Sequence, residues 1–310
     1  MDDLDRAVQQ LAAQQGGVLT REQAVALGMS AAQVATALRS GRWLPARYGA
    51  HAPVSELPPA GSAESVALQV AAVQLRATGR PVAAGPTAAL LHGLPYIGRR
   101  LQEPLLVWPR AVGGRPRRDV PTWWLPEEQV VRVHGVLATS SARTAFDIAR
   151  TSSLLSGVAV ADGFLAAGGA REGLSEVVEA CGATHGKGRA EEAFSWARVG
   201  AESVLESLGR VRAVQQGLPE PELQVEIYDE DGFVGRVDQL WRRQRVIGEA
   251  DGLGKYDTPH VLRAEKLRED RLRDTGFEVI RYTWDEALRR PERLAARVRA
   301  AFARAARRAA

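Results

Sequence analysis

Between Leu223 and Tyr282 the chain leaves little freedom of fold. Leu223-Gln-Val-Glu-Ile-Tyr228 alternates apolar and polar residues, the period of a half-buried strand. Asp229-Glu-Asp-Gly232 is a hairpin turn, and Phe233–Trp241 returns as a second strand. After Arg242-Arg-Gln244, Val246–Ala250 reads as a third strand, followed by Asp251-Gly252. A basic helix is predicted over Thr258–Asp274, with Lys266, Arg268 and Arg271, and Gly276 stops it. Phe277–Tyr282 is a last strand, and Trp284-Asp285 starts the final helix. Upstream, Glu202 and Glu206 are four apart and are expected on one face of a helix. Helix, three strands, helix, strand is thus the predicted order, an αβββαβ core.

Within this run two acids sit where a solvated surface would not put them. Asp238 lies between Val237 and Leu240 on one strand, and Glu249 follows Val246-Ile247 on the next. Carboxylates at the ends of adjacent strands converge, and without a counter-charge they repel and are costly to desolvate. A divalent cation resolves the conflict, since Mg²⁺ takes one or two carboxylates and fills its shell with water and phosphate oxygens. Such a cation activates water for attack on a phosphodiester.

Residues 1–55 have a different grammar. Leu4–Gln15 reads as a helix ended by Gly16-Gly17. Thr20 with Gln23, and Ser30 with Gln33, are capping-box signatures opening helices over Arg21–Leu27 and Ala31–Arg39. Gly28 separates the two, and Arg42–Gly49 reads as a small β wing. That order is a winged helix-turn-helix, whose third helix would enter a DNA groove. Gln33, Thr36 and Arg39 are its candidate base readers, with Arg42 and Arg47 at the wing facing phosphate. A helical adaptor that touches only protein is the alternative.

Residues 53–61 form a linker, and 62–180 read as an α+β middle region. Its expected elements are helices over Glu64–Thr78, from Pro86, over Ser141–Ala149 and over Leu154–Leu165, with strands at Leu105–Trp108 and Val130–Val136. Gly113-Gly-Arg-Pro-Arg-Arg118 is a basic loop, and His92 and His134 are isolated. Residues 181–200 open on a Gly-rich break without P-loop spacing. The Arg-rich end, Arg289–Ala310, puts Leu294, Val298 and Ala301 on one helical face; it is either a closing helix or a track along a phosphate backbone.

Composition removes several classes. The 310 residues carry one cysteine, Cys181, so no internal disulfide framework or cysteine zinc site is available. No run is long and apolar enough to span a bilayer, and the acidic start is unlike a secretory signal, so a cytoplasmic protein without a membrane partner is expected. The net charge of +4 permits a nucleic-acid partner without requiring one.

Two families share these patterns. Glu202-Ser-Val-Leu-Glu206, Gly235-Arg-Val-Asp238, Gly248-Glu-Ala-Asp-Gly252, Glu265-Lys-Leu-Arg-Glu-Asp270 and Arg281-Tyr-Thr-Trp284 occur in order. They resemble the PD-(D/E)XK nuclease superfamily, and within it the very-short-patch-repair-endonuclease-like domains of undetermined function. The resemblance implies a restriction-endonuclease-like domain over 195–310 that cleaves DNA with Mg²⁺ or Mn²⁺. It implies Asp238 and Glu249 as metal ligands, and Glu206 or Glu202 as the helix acid. Lys266 and Arg281 would then meet DNA. The family's lysine, two residues after the second acid, is Asp251 here. Lys255 or Lys266 would have to replace it, or Asp251 serves as a third ligand; otherwise the domain is a degenerate fold that binds without cutting.

Gly16-Gly-Val-Leu-Thr-Arg-Glu-Gln-Ala24, Gly85-Pro-Thr-Ala-Ala-Leu-Leu-His-Gly-Leu-Pro95 and Ser141-Ala-Arg-Thr-Ala-Phe-Asp147 resemble the AbiEi-type antitoxin of type IV toxin–antitoxin systems. That resemblance implies a winged helix over 1–55 and an α+β domain over 62–180. It also implies repression of the protein's own operon, and a cognate toxin or operon partner.

Overall fold

The structure, a computed structural model, describes residues 3–47, 49–98, 102–110, 122–251 and 259–309; for Thr122, 259–265 and Ala309 it describes the backbone alone. It is a mixed α and β chain in two compact units. The first is Met1–Thr151 with Gly173–Thr184, the second Ser152–Glu172 with His185–Ala310.

The first unit begins with α1 (Asp3–Gln14), β1 (Leu19–Thr20), α2 (Arg21–Ala26), α3 (Ala31–Arg39), β2 (Leu44–Arg47) and β3 (Ala50–Ala52), the strands in order β1-β3-β2. Both capping boxes form: the Gln23 N–H donates to Thr20 Oγ1, and the Gln33 N–H to Ser30 Oγ, each glutamine returning the bond. Gly28 turns the chain between the helices at φ 108°, where a side chain would be strained. Val8, Leu19, Ala24, Met29, Val34 and Trp43 fill the space among them. The arrangement is compatible with a winged helix.

It continues as α4 (Ala63–Arg76), β4 (Val82–Ala83), α5 (Gly85–Leu91), β5 (Leu106–Arg110), β6 (Thr122–Trp124), β7 (Val130–Val133), β8 (Val136–Thr139) and α6 (Ser141–Thr151). The sheet order is β6-β5-β4-β8-β7. The single strand expected over Val130–Val136 is instead a hairpin, β7 pairing antiparallel with β8. His134 and Gly135 turn it with φ of 48° and 79°, the positive values a two-residue hairpin needs. Residues 1–55 and the middle region are not separate here. Val18 and Ala50 share one core with Ala67, Val70, Ala71, Ala83 and Ala138. Gly16 sits in that seam: a Cβ on it would lie 2.8 Å from Val136 Cγ1 and 2.9 Å from Ala71 Cβ.

The second unit contains α7 (Leu154–Ala166); α8 (Arg171–Ala180) runs from its residues into those of the first. Then follow α9 (Lys187–Trp196), α10 (Val204–Gln215), β9 (Glu222–Asp229), β10 (Gly232–Trp241), β11 (Val246–Ala250), α11 (Pro259–Asp274), β12 (Glu278–Tyr282), α12 (Trp284–Arg289) and α13 (Pro291–Ala309). The sheet runs β12-β11-β10-β9, antiparallel except for the parallel β11–β12 pair. Leu240, Ile247 and Val279 pack with Leu272 of α11, while Gln239, Trp241 and Tyr282, at alternate positions, turn towards α10 and α13.

Several expectations change here. The break at 181–200 holds the helix α9, opened by Gly186 at φ 79°. α7, expected with the middle region, packs against α9 and α10. Glu202 is outside the helix: Ser203 is the N-cap of α10, so only Glu206 is on it. The final helix is two, divided at Arg290-Pro291, where a proline opens the second. Leu294, Val298 and Ala301 are buried, and α13 packs on β12 as a closing helix.

Candidate functional site

The acids of the second unit come from three elements. On β10 and β11, Gln239 pairs with Gly248, so Asp238 and Glu249 are one step further along each strand. Strand alternation puts both on the face of Leu240 and Ile247. Asp238 Oδ2 accepts the Ala250 N–H at 2.8 Å, binding the acid to the neighbouring strand. From α10, Glu206 Oε2 accepts the Glu202 N–H at 2.9 Å and the Gln224 amide at 2.9 Å. The same Gln224 Nε2 is 3.5 Å from Asp238 Oδ1, so one amide links two of the acids. Gln224 reaches them from a left-handed backbone position on β9, φ 51°.

Burial pushes the Glu206 carboxyl above its ordinary range, and the charge of Asp238 adds to the rise. On the other face of the sheet, against α10, is Tyr282, 1 % exposed, whose hydroxyl accepts a 2.8 Å bond from Gln239 Nε2. Burial raises its pKa well above the ordinary value, and the charges of Asp238, Glu206 and Glu249 act in the same direction. The ring needs Gly209 on α10: a Cβ there would be 2.5 Å from Tyr282 Cε2 and closer still to Cζ and Oη.

Among the described residues, no three His, Cys, Asp or Glu side chains are grouped so as to hold a metal ion. Of the expected ligands, Asp238 and Glu249 stand at neighbouring positions across β10 and β11; two carboxylates are the number Mg²⁺ commonly takes beside water and phosphate oxygens. Asp251 continues β11, its N–H donating to the Tyr282 carbonyl at 2.9 Å. Lys255, Gly252, the side chain of Glu265, the basic loop 113–118 and Tyr48 of the wing lie outside the described residues. Lys266 is exposed on α11. Arg281, on the same face as Glu249, pairs with Glu269 at 2.9 Å. A cation that sequence reasoning passed over does reach one of the acids: Arg268 Nη2 donates to Glu249 Oε1 at 3.2 Å.

In the first unit, α3 presents Gln33, Thr36 and Arg39 to solvent, and Arg42 follows, also exposed. Gln33 Oε1 is held by the Ser30 N–H at 2.7 Å, and Arg39 donates to Thr36 Oγ1 at 3.2 Å. Arg47 on β2 forms an ion pair with Glu103.

The quoted motifs of the first unit prove to be framework. Arg143, 3 % exposed, donates to Asp147 at 2.8 Å, to Gln129 at 2.6 Å and to the Trp124 carbonyl at 3.1 Å. Arg150 closes the cluster on Asp147 and stacks over Trp123. His92 bonds the Thr139 carbonyl at 2.7 Å. In the second unit the fully buried Arg210 pairs with Asp162 at 2.9 Å, fixing α10 to α7. The sequence signal was available: charged residues at helix-face positions otherwise filled by apolar neighbours.

Residues 6–47 match the family model described as "Transcriptional regulator, AbiEi antitoxin". Over 236 residues, 74 % of this chain and 84 % of the relative, the sequence is 30 % identical to "Uncharacterized protein MT2308" of Mycobacterium tuberculosis (strain CDC 1551 / Oshkosh). "Uncharacterized protein Rv2248" of Mycobacterium tuberculosis (strain ATCC 25618 / H37Rv) matches to the same extent. The chain belongs to the family of these two mycobacterial proteins. The match with them is far longer than the antitoxin segment. Among the described residues no helix is long and apolar enough to cross a membrane.

Proposed function

We propose that this protein binds DNA through its N-terminal winged helix and cleaves phosphodiester bonds with its second unit, a restriction-endonuclease-like domain. The observation that carries the proposal is the placement of Asp238 and Glu249 at neighbouring positions of β10 and β11, with Glu206 of α10 joined to Asp238 through the Gln224 amide. The order α10–β9–β10–β11–α11–β12, with β12 parallel to β11, supports the same core. Asp238 and Glu249 would hold Mg²⁺ or Mn²⁺, which supplies Lewis acidity and an activated water when bound. The chain's own part is orientation. The Ala250 N–H and the Gln224 amide fix the Asp238 carboxylate, and the Glu202 N–H fixes Glu206 behind it. Gln33, Thr36, Arg39, Arg42 and Arg47 would deliver the DNA, Arg47 exchanging Glu103 for phosphate. A DNA target implies work in the cytoplasm.

The test is nicking of supercoiled plasmid with Mg²⁺ or Mn²⁺ by wild type and Asp238→Ala. Metal-dependent cutting by wild type alone is expected; no cutting, or equal cutting by the variant, would remove the enzyme.

The match over residues 6–47, and Asp251 at the position of the family's lysine, favour a second function. It is a non-cutting repressor of its own operon, paired with a cognate toxin. A gel shift on the upstream region with Gln33→Ala/Arg39→Ala probes it; unchanged binding would take α3 out of the account.

A further inference from the structure

We infer that Arg268 is the phosphate-receiving cation of the acidic site, filling the role for which position 251 offers only an aspartate. The inference rests on the nuclease reading above.

Arg268 enters the site from α11. Its Nη2 donates to Glu249 Oε1 at 3.2 Å, and its Nη1 to the Arg236 carbonyl at 3.4 Å. The path is made by Gly235: a Cβ there would be 3.1 Å from both Cδ and Nη1 of Arg268, tighter than ordinary contact. The stem thus passes over β10 at Gly235, three residues before Asp238, and the guanidinium ends beside Glu249. Gly235 and Arg268 belong to two of the sequence blocks that share the nuclease-like pattern, and their packing gives a physical reason for the glycine.

The neighbouring cations have other work. Arg271 pairs with Asp229 at 2.6 Å, Arg281 with Glu269, and Arg273 with Glu269 and Asp270. Arg236 pairs with Glu202 at 2.7 Å. Arg268, by contrast, donates to Glu249, a proposed metal ligand. These two contacts are at the long end of the hydrogen-bond range, and the side chain is 24 % exposed, so a phosphate can reach it. A guanidinium stays charged at any working pH and offers a planar fork that matches a phosphate.

The experiment uses the full-length chain with a fluorescent duplex, Ca²⁺ replacing Mg²⁺, and follows binding by anisotropy across a salt series. Wild type, Arg268→Met, Arg268→Lys and Asp238→Ala are compared, with thermal melting as the check on folding. Methionine keeps the apolar stem, so a folded variant is expected. Arg268→Met should lower the slope of log affinity against log salt by about one, the loss of one phosphate contact. Arg268→Lys should restore most of that slope. In Mg²⁺, Arg268→Met should cut at least ~100-fold more slowly, the usual cost of one donor to a reacting oxyanion. An unchanged salt slope in folded Arg268→Met overturns the assignment, whatever cleavage does. Loss of slope in Arg268→Lys equal to that in Arg268→Met also overturns it, since charge would not be the cause. Cleavage by wild type against Asp238→Ala tests the nuclease reading separately. If wild type does not cut, that reading falls, and the assignment to a cleavage site falls with it.

Discussion

Replacing Gly209 with alanine sets two known effects against each other. Gly209 is in the interior of α10, where alanine favours a helix by about 0.5–1 kcal/mol. The new methyl, however, would be placed 2.5 Å from Tyr282 Cε2 and nearer to Cζ and Oη. The ring is 1 % exposed and held by Gln239, so it cannot swing into solvent. Overpacking a filled core costs ~1–3 kcal/mol, and contact with three atoms of a rigid ring belongs at the upper end. The net expectation is a loss of about 2 kcal/mol, or a fall in Tm of ~4–8 °C for a unit of this size. Denaturant titration and thermal melting read it directly. Tyr282→Leu provides the control, because it removes the atoms that the methyl meets. In that background Gly209→Ala should be neutral or slightly stabilising. Gly209→Ala melting at or above wild type would refute the reasoning. So would an equal penalty in both backgrounds, because the ring would then not be the cause.

Three further outcomes are expected. Glu206→Gln should melt higher than wild type at pH 7. The folded state binds the Glu206 proton more tightly than the unfolded chain, so this stabilisation is complete below the ordinary carboxylate range and lost as pH rises through the raised value. The gap between the two proteins should close below about pH 4; a gap independent of pH would contradict the burial account. Arg143→Met should cost about 3 kcal/mol by urea titration, since Gln129 and the Trp124 carbonyl lose a buried charged donor while Asp147 keeps Arg150. Ser30→Ala should cost about 1 kcal/mol by releasing the first turn of α3, measurable by the same titration.

Local chemistry decided which parts were legible in the sequence. The helices of residues 3–39 could be read because Thr20, Ser30 and their glutamines bond within three residues. The strands β9 to β11 could be read because alternation is a property of each strand alone. The hairpin at His134-Gly135 was missed, because histidine in place of asparagine or aspartate hides the turn. α9 was missed because Gly186 opens a helix where glycine more often closes one. Glu202 was misplaced, although Ser203 and Glu206 carry the spacing of a cap. Arg268 was passed over for a different reason. Its partner Glu249 is nineteen residues away, on another element, and only the fold brings them together.

The seam at Gly16 bears on what can be transplanted. Gly135 and Gly16 approach so closely that a Cβ on Gly135 would be 2.9 Å from the Gly16 Cα, backbone against backbone. The stretch that matches an antitoxin model, 6–47, is thus a unit of ancestry without being a unit of folding. Cut at the 53–61 loop, it would expose Val18 and Ala50 and lose the wall that α4 and β8 provide. The N-terminal head of this protein, taken for use elsewhere, should be taken as residues 1–151, and any exchange of that head has to conserve two glycines of its buried seam.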